Sequence, residues 1–288
     1  MSRPGTPLTV HDHDRRRGGR EYVYPVVSRR ARGVSIGINL NPNAACNWRC
    51  VYCQVPGLVR GAAPAIDLGQ LASELAGLLD EVRTPGWMER HVPEGGRRLH
   101  DVAFSGNGEP TSSPQLGDAV GVALDALRAR GLAGEVKLVL ITNGSLLHQP
   151  RVQEALRHLG SAHAEVWFKL DGASDAVLRG LNDAHTSIAR QRANLALAAR
   201  LAPTWAQTMV LEVAGRPSLD AEERCAYVLL LRGLLDEGVP LRGVRLYGLA
   251  RPSHQPEAAS LRPLPAAWLQ AFAAEIRGGT GLAVSVDA

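Results

Sequence analysis

Cysteine is scarce in this chain of 288 residues, and lysine is scarcer. Of 4 cysteines, Cys46, Cys50 and Cys53 share one short stretch, while Cys225 stands alone downstream in an apolar run. Bunched thiols without a secretory signal are not the framework of a disulfide-stapled extracellular domain, and the expected compartment is a reducing cytosol. The arginines near residue 15 are followed by no apolar segment, which argues against an export signal. Nor does any run of about eighteen apolar residues occur, so no membrane-spanning helix is expected. Lysine occurs only at Lys137 and Lys169, so the formal charge of +4 is carried by arginine. In a chain rich in alanine, glycine and leucine, that mild excess is poor evidence for a nucleic-acid partner. A second C-x2-C or an H-x3-H pair is also missing, which removes the usual four-ligand structural zinc pattern.

What is present is Cys46-Asn47-Trp48-Arg49-Cys50-Val51-Tyr52-Cys53, a C-x3-C-x2-C spacing just after an alternating apolar segment at 34–40. The alternation predicts a strand, which places the thiols on the loop leaving it. Soft thiolates on one loop suit an iron–sulfur cluster or zinc. Cubane clusters normally take four cysteines, so three leave one iron open to a ligand. Two other readings stay open on residues alone. One is zinc completed by His11, His13 or His91, in a nucleic-acid-binding module served by the basic residues 15–32. The other is a sensor or scaffold that holds a cluster without catalysis.

Residues 1–33 read as a basic arm, partly disordered, that docks through Tyr22-Val23-Tyr24-Pro25-Val26-Val27. From residue 34 short apolar strands alternate with amphipathic helical stretches. Strands are expected at 34–40, 101–105, 137–142, 165–170, 206–213 and 243–248. Helices are expected at 67–82, 116–130, 150–159, 183–201 and 220–237. Residues 34–250 form the expected core, and 251–288 add a helix at 265–277 and a short strand at 281–286. Such alternation implies α/β architecture with a parallel sheet, six units closing partway into a barrel. Chemistry then belongs at the carboxyl ends of the strands.

The unusual residues fall there. The second strand runs into Gly106-Asn107-Gly108-Glu109-Pro110-Thr111, where glycines admit a ligand to the backbone and Glu109 offers an acceptor for an ammonium group. The third ends in Thr142-Asn143-Gly144-Ser145, a hydroxyl and an amide suited to a carboxylate or ribose. The fourth ends in Lys169-Leu170-Asp171, whose two charged residues share a face and need each other or a polar ligand. Gln207 and Thr208 interrupt the fifth strand, and Tyr247, Arg251 and His254 follow from the sixth as candidates for substrate contact.

This ordered set resembles the radical S-adenosylmethionine (radical SAM) superfamily over residues 34–248. The resemblance implies a partial (β/α)6 barrel with parallel strands. It further implies a 4Fe-4S cluster on Cys46, Cys50 and Cys53, with SAM chelated at the open iron. On that reading Gly106, Asn107, Gly108 and Glu109 hold the methionine amino group, Asn107 standing where glycine is usual. Thr142 and Asn143 contact SAM, Tyr52 packs near the adenine, Lys169 meets a carboxylate, and Asp171 meets the ribose or the substrate. Asn47, Trp48 and Arg49 shape the loop. The resemblance implies an external electron donor of flavodoxin or ferredoxin type that reduces the cluster, and as substrate an RNA, a peptide or protein (a glycyl-radical partner included), or a small metabolite. The motifs most resemble the branch related to wyosine tRNA-modifying synthases. Those enzymes carry an additional cluster motif nearer the N-terminus, and here no cysteine precedes Cys46.

Overall fold

The computed structural model of the protein describes residues 8, 15, 17–28 and 33–288. Eight strands form one sheet: β1 (Val23–Ser28), β2 (Gly33–Ile38), β3 (Leu99–Phe104), β4 (Lys137–Thr142), β5 (Ala164–Lys169), β6 (Thr204–Val210), β7 (Leu241–Gly248) and β8 (Ala283–Asp287). They lie side by side in chain order; β1 runs antiparallel to β2, and every other pairing is parallel. The architecture is the expected partial barrel, its parallel run carried one strand further by β8.

Helices α1 (Leu68–Val82), α2 (Leu116–Arg128), α3 (Pro150–Gly160), α4 (Asp175–Asn182), α5 (Ile188–Leu201), α6 (Ala221–Asp236) and α7 (Ala266–Thr280) fill the crossovers, and all but α4, which packs on the cysteine loop, cover the outer face. Their starts are encoded locally. Asp67, Ser174, Ser187 and Asp220 each accept a hydrogen bond from a backbone N–H three residues on, a type of cap worth about 1 kcal/mol.

Alternation along the strands sorts two environments. Ile36, Phe104, Leu140, Phe168 and Leu246 point outward into the core shared with Leu75, Leu156, Leu195 and Phe272. Their neighbours in sequence point inward and are mixed. Trp167 and Trp205 flank the Arg245 guanidinium, 4.1 and 4.9 Å from the ring centroids. Glu165 pairs with both Lys137 (2.6 Å) and Arg245 (3.2 Å). These charges fill the concave side toward the strands' amino ends, leaving the other end open.

Three expectations are corrected. Two helices, α4 and α5, stand where one was expected at 183–201: α5 occupies only 188–201, and α4 lies wholly before Asp183, where no helix was expected. Asp183 terminates the first in the left-handed conformation (φ 46°), held there by Arg49 and Arg60. The strand at 206–213 stops at Val210, and Glu212–Val213 joins Arg216–Pro217 and Leu261–Arg262 in a separate small sheet. Residues 23–28, read as part of an arm, are a full sheet strand. Of the remaining arm, residues 1–7, 9–14, 16 and 29–32 lie outside the described residues, as do His11 and His13.

Candidate active site

The cysteine loop is seated before any cofactor is considered. Asn39, just past β2, accepts from the backbone N–H of Asn41 (3.1 Å) and of Asn107 (3.0 Å), tying the loop's entry to the Gly106-Asn107-Gly108 turn. Ala45–Cys46 pairs with Val59–Arg60. On one side the end of α4 receives the loop: Arg49 N–H donates to the Asn182 carbonyl (3.2 Å) and Val51 N–H to that of Leu181 (2.9 Å). Arg49 also forks onto Glu257 (2.9 Å twice) and reaches Asp183 (3.0 Å). On the other side the Ser253 hydroxyl donates to the Val51 carbonyl (2.7 Å), and His254 N–H donates to that of Cys53 (2.9 Å).

All three thiols open onto one cavity of about 280 Å³ on the concave side of the sheet. Gly106, Gly108 and Glu109 form one wall of it, Thr142 and Asn143 another, and Tyr52 and Lys169 a third. Tyr247, Arg251 and Gln207 also face it. Asp171 does not; it is buried behind Tyr52 and Lys169. His254 is exposed and engages through its backbone, and Thr208 faces outward, its hydroxyl 2.6 Å from that of Tyr227.

Glu109 is fully engaged within the protein. Its Oε1 accepts from Thr111 N–H (3.0 Å) and from the hydroxyls of Thr111 and Thr142 (2.6 Å each), and its Oε2 accepts from Asn143 N–H (2.6 Å). The carboxylate therefore fixes the two motif loops to each other. Burial raises its pKa, and the hydrogen bonds from Thr111, Thr142 and Asn143 only partly offset this. From α5, Gln191 donates to the carbonyls of Asn143 and Lys169 (3.0 Å to the latter), and Asn194 to that of Gly144 (2.8 Å). Gly144 turns at φ 74°, and a Cβ there would lie 2.0 Å from the Phe168 ring. Asn47 completes the bracing, accepting from Asn143 (2.8 Å) and donating to Ser145 (2.7 Å).

Lys169 and Asp171 are a pair within a wider network. Asp171 accepts from the Tyr52 hydroxyl, Asn182 Nδ2 (2.7 Å) and Met209 N–H (2.9 Å), with Lys169 Nζ 3.5 Å away. Lys169 also donates to the hydroxyls of Tyr52 (2.7 Å) and Tyr247 (3.4 Å). Burial opposes its charge, but Asp171, then Tyr247 and Cys50, outweigh it and hold the ammonium well above the usual lysine range. Burial, reinforced by Asp171, likewise keeps Tyr52 a neutral phenol.

Burial pushes the free thiols up as well, Cys46 to about 12 and Cys50 to about 11, so both are protonated until a cation displaces the proton. Among the described residues no three His, Cys, Asp or Glu side chains are placed to hold a single metal ion. His91, one suggested zinc ligand, precedes β3 at the opposite end of the strands, its ring against Trp87. A donor set of three soft thiols opening on one glycine-backed cavity fits a cluster whose irons take separate thiolates.

Sequence reasoning missed Asn182, Gln191, Asn194, Ser253 and the Asp183–Arg49–Glu257 clamp. A signal existed for one pair: Gln191 and Asn194 are buried amides three apart on an otherwise apolar helix face. The others are recognisable only once the loop is folded against them.

A parallel half-barrel with three thiols and two tightly packed glycines at its carboxyl end defines the class as a partial-barrel α/β domain. The chain belongs to the radical SAM superfamily, whose model matches residues 40–213. A UPF0026 protein of Helicobacter pylori strain J99 is 29% identical over 136 residues, which make up 46% of this chain and 38% of that protein. A UPF0026 protein of Methanocaldococcus jannaschii is 26% identical over 170 residues, 57% of this chain and 44% of that one. Less than half of either relative has its counterpart here. Two solved structures share the fold. TYW1 with a lysine-pyruvate adduct bound has a TM-score of 0.52 at 15% identity, over 87% of this chain and 74% of that one. Streptococcus suis SuiB bound to S-adenosylmethionine has a TM-score of 0.54 at 11% identity, over 89% and 47%. No helix among the described residues is long and apolar enough to cross a membrane.

Proposed function

We propose that the protein binds a 4Fe-4S cluster through Cys46, Cys50 and Cys53 and reductively cleaves S-adenosylmethionine, drawing its electron from an external donor of flavodoxin or ferredoxin type. The observation that carries this reading is that the three thiols and the glycine-backed slot at Gly106 and Gly108 open on the same cavity. When bound and reduced by one electron, such a cluster supplies homolysis of the sulfonium to methionine and a 5′-deoxyadenosyl radical, which abstracts a substrate hydrogen atom.

The protein's part is positional. Gly106 and Gly108 let Asn39, Asn41 and Ala45 pack tightly behind the turn, where a Cβ would lie 2.4 Å from Asn39 Oδ1 and 2.0 Å from the Ala45 carbonyl oxygen, and carbonyls on its cavity side accept from the ligand's ammonium group. Glu109 acts as a positioning residue, locking the Gly108 turn to Thr142 and Asn143. Thr142 and Asn143 offer polar groups to the ligand, and the Lys169 ammonium lies within reach of a carboxylate. Trp48, buried between the thiols and α4, keeps water from the back of the loop. Tyr247, Gln207 and Arg251 line the space left for the substrate, an RNA, peptide or metabolite.

The test is anaerobic reconstitution with iron and sulfide, then dithionite and SAM, with 5′-deoxyadenosine as the readout. Release is expected from the wild type and should fall at least about a hundredfold in Cys46→Ala, a loss of the cofactor's chemistry rather than of one contact. A full cluster without release would sink the proposal, and zinc without iron would point to a binding module.

A further inference from the structure

Asn182 is fully buried at the end of α4, and its side chain touches the wall behind Cys50. Its Nδ2 lies 2.7 Å from Asp171 Oδ2, and 3.4 Å from both the Cys50 sulfur and the Tyr52 hydroxyl oxygen. The amide has two hydrogens. Asp171 takes one at the shorter distance. The Tyr52 oxygen already accepts from Lys169 at 2.7 Å while donating its own hydrogen to Asp171. The second amide hydrogen is therefore left for the Cys50 sulfur. Cys46 is placed differently: Asn47 Oδ1, an acceptor, lies 3.9 Å from its sulfur, and the donor it meets is a backbone N–H, that of Trp48, rather than a side chain.

We infer that Asn182 sets how readily a cluster held by Cys50 is reduced, through the hydrogen bond from its Nδ2 to the Cys50 sulfur; the role rests on the cluster binding proposed above. Reduction by one electron from an external donor adds negative charge, part of which resides on the thiolate sulfurs. A donor aimed at one sulfur stabilises the reduced form more than the oxidised form, and hydrogen bonds to sulfur are among the levers that set such potentials. Cys50 is half-buried among Val51, Tyr52, Leu181 and Trp48, while the Asn182 amide behind it is fully buried, so that one amide counts for more than it would in solvent. The backbone of Asn182 holds Arg49 independently of the side chain, so the amide can be replaced without cutting that attachment. The same Nδ2 bridges to Asp171, which links the cluster end of the cavity to the Lys169 network.

The test compares reconstituted wild type with Asn182→Leu, similar in volume but without a donor. At the potential where wild-type clusters are half reduced, the variant is expected to be about tenfold more oxidised than reduced, equal to about 59 mV for one electron. In deuterated buffer an exchangeable deuteron coupled to the reduced wild-type cluster should vanish from the variant's electron–nuclear spectrum, a change that loosened packing alone would not produce. If Asn182→Leu fails to assemble the cluster, Asn182→Ser, too short to reach the sulfur, is titrated in its place. An intact cluster whose reduced-to-oxidised ratio stays within about twofold of wild type overturns the inference. Wild type that takes up no iron overturns the proposed function first, and this role with it.

Discussion

Gly108→Ala is expected to lose about 2–3 kcal/mol of stability and to bind iron at least tenfold more weakly than wild type. A Cβ at residue 108 would stand 2.0 Å from the Ala45 carbonyl oxygen and 2.7 Å from the Asn41 amide nitrogen. Neither neighbour yields cheaply. The Ala45 carbonyl accepts from Asn41 Nδ2 at 2.9 Å, and Ala45 is paired with Val59. The same Asn41 amide also reaches the Ser112 hydroxyl at 3.3 Å. Overpacking against backbone lies toward the upper end of its usual cost of about 1–3 kcal/mol, and the segment forced aside leads directly into Cys46. Urea unfolding of the apoprotein and the iron-to-protein ratio after reconstitution read the two effects separately. Gly77→Ala supplies the contrast, since nothing lies within 4 Å of a Cβ there on α1. That change should leave iron uptake intact and add a few tenths to about 1 kcal/mol of helix propensity. Normal iron in Gly108→Ala would mean that the turn does not seat the loop.

The contrast between those two glycines also bears on what the sequence could reveal. Residue types that have few uses announced themselves: three thiols on one loop, and glycines flanking Asn107. Strand periodicity fixed the sheet because each parallel strand buries one face under a helix, and that pattern needs no knowledge of partners. Asp183 was different. A helix was expected to start at it, but it is the left-handed end of α4, because Arg49 and Arg60, more than 120 residues away, hold its carboxylate and carbonyl. Strand β1 was hidden for a similar reason, since its ladder with β2 is tertiary. Glu109 was legible as a site residue, but its acceptors go to Thr111, Thr142 and Asn143, which belong to different motifs. Asn182 carried no signal, because an asparagine at a helix end ordinarily serves as a cap or turn residue.

Asp171→Ala is expected to cost about 3–5 kcal/mol, as when one partner of a buried ion pair is removed. Lys169 would keep its ammonium in a walled site with only the phenols of Tyr52 and Tyr247 to accept from it. Three donors to Asp171 would also lose their acceptor: the Tyr52 hydroxyl, Asn182 Nδ2 and Met209 N–H. The double change Lys169→Met with Asp171→Leu removes both charges at similar volume, and should recover most of the loss, because well-packed apolar pairs often match a buried ion pair. Urea unfolding of the single variants and the double variant gives the coupling, which should be large for groups this close. The same proteins separate the two uses of the pair. Lys169 stands on the cavity wall and Asp171 behind it. The double variant should therefore regain stability yet bind SAM about tenfold more weakly, a loss of one charge-assisted contact. Recovered stability with unchanged SAM affinity would instead assign Lys169 to the structure of the barrel alone. A double variant as unstable as Asp171→Ala would trace the cost to the stranded donors of Tyr52, Asn182 and Met209 rather than to the lysine charge.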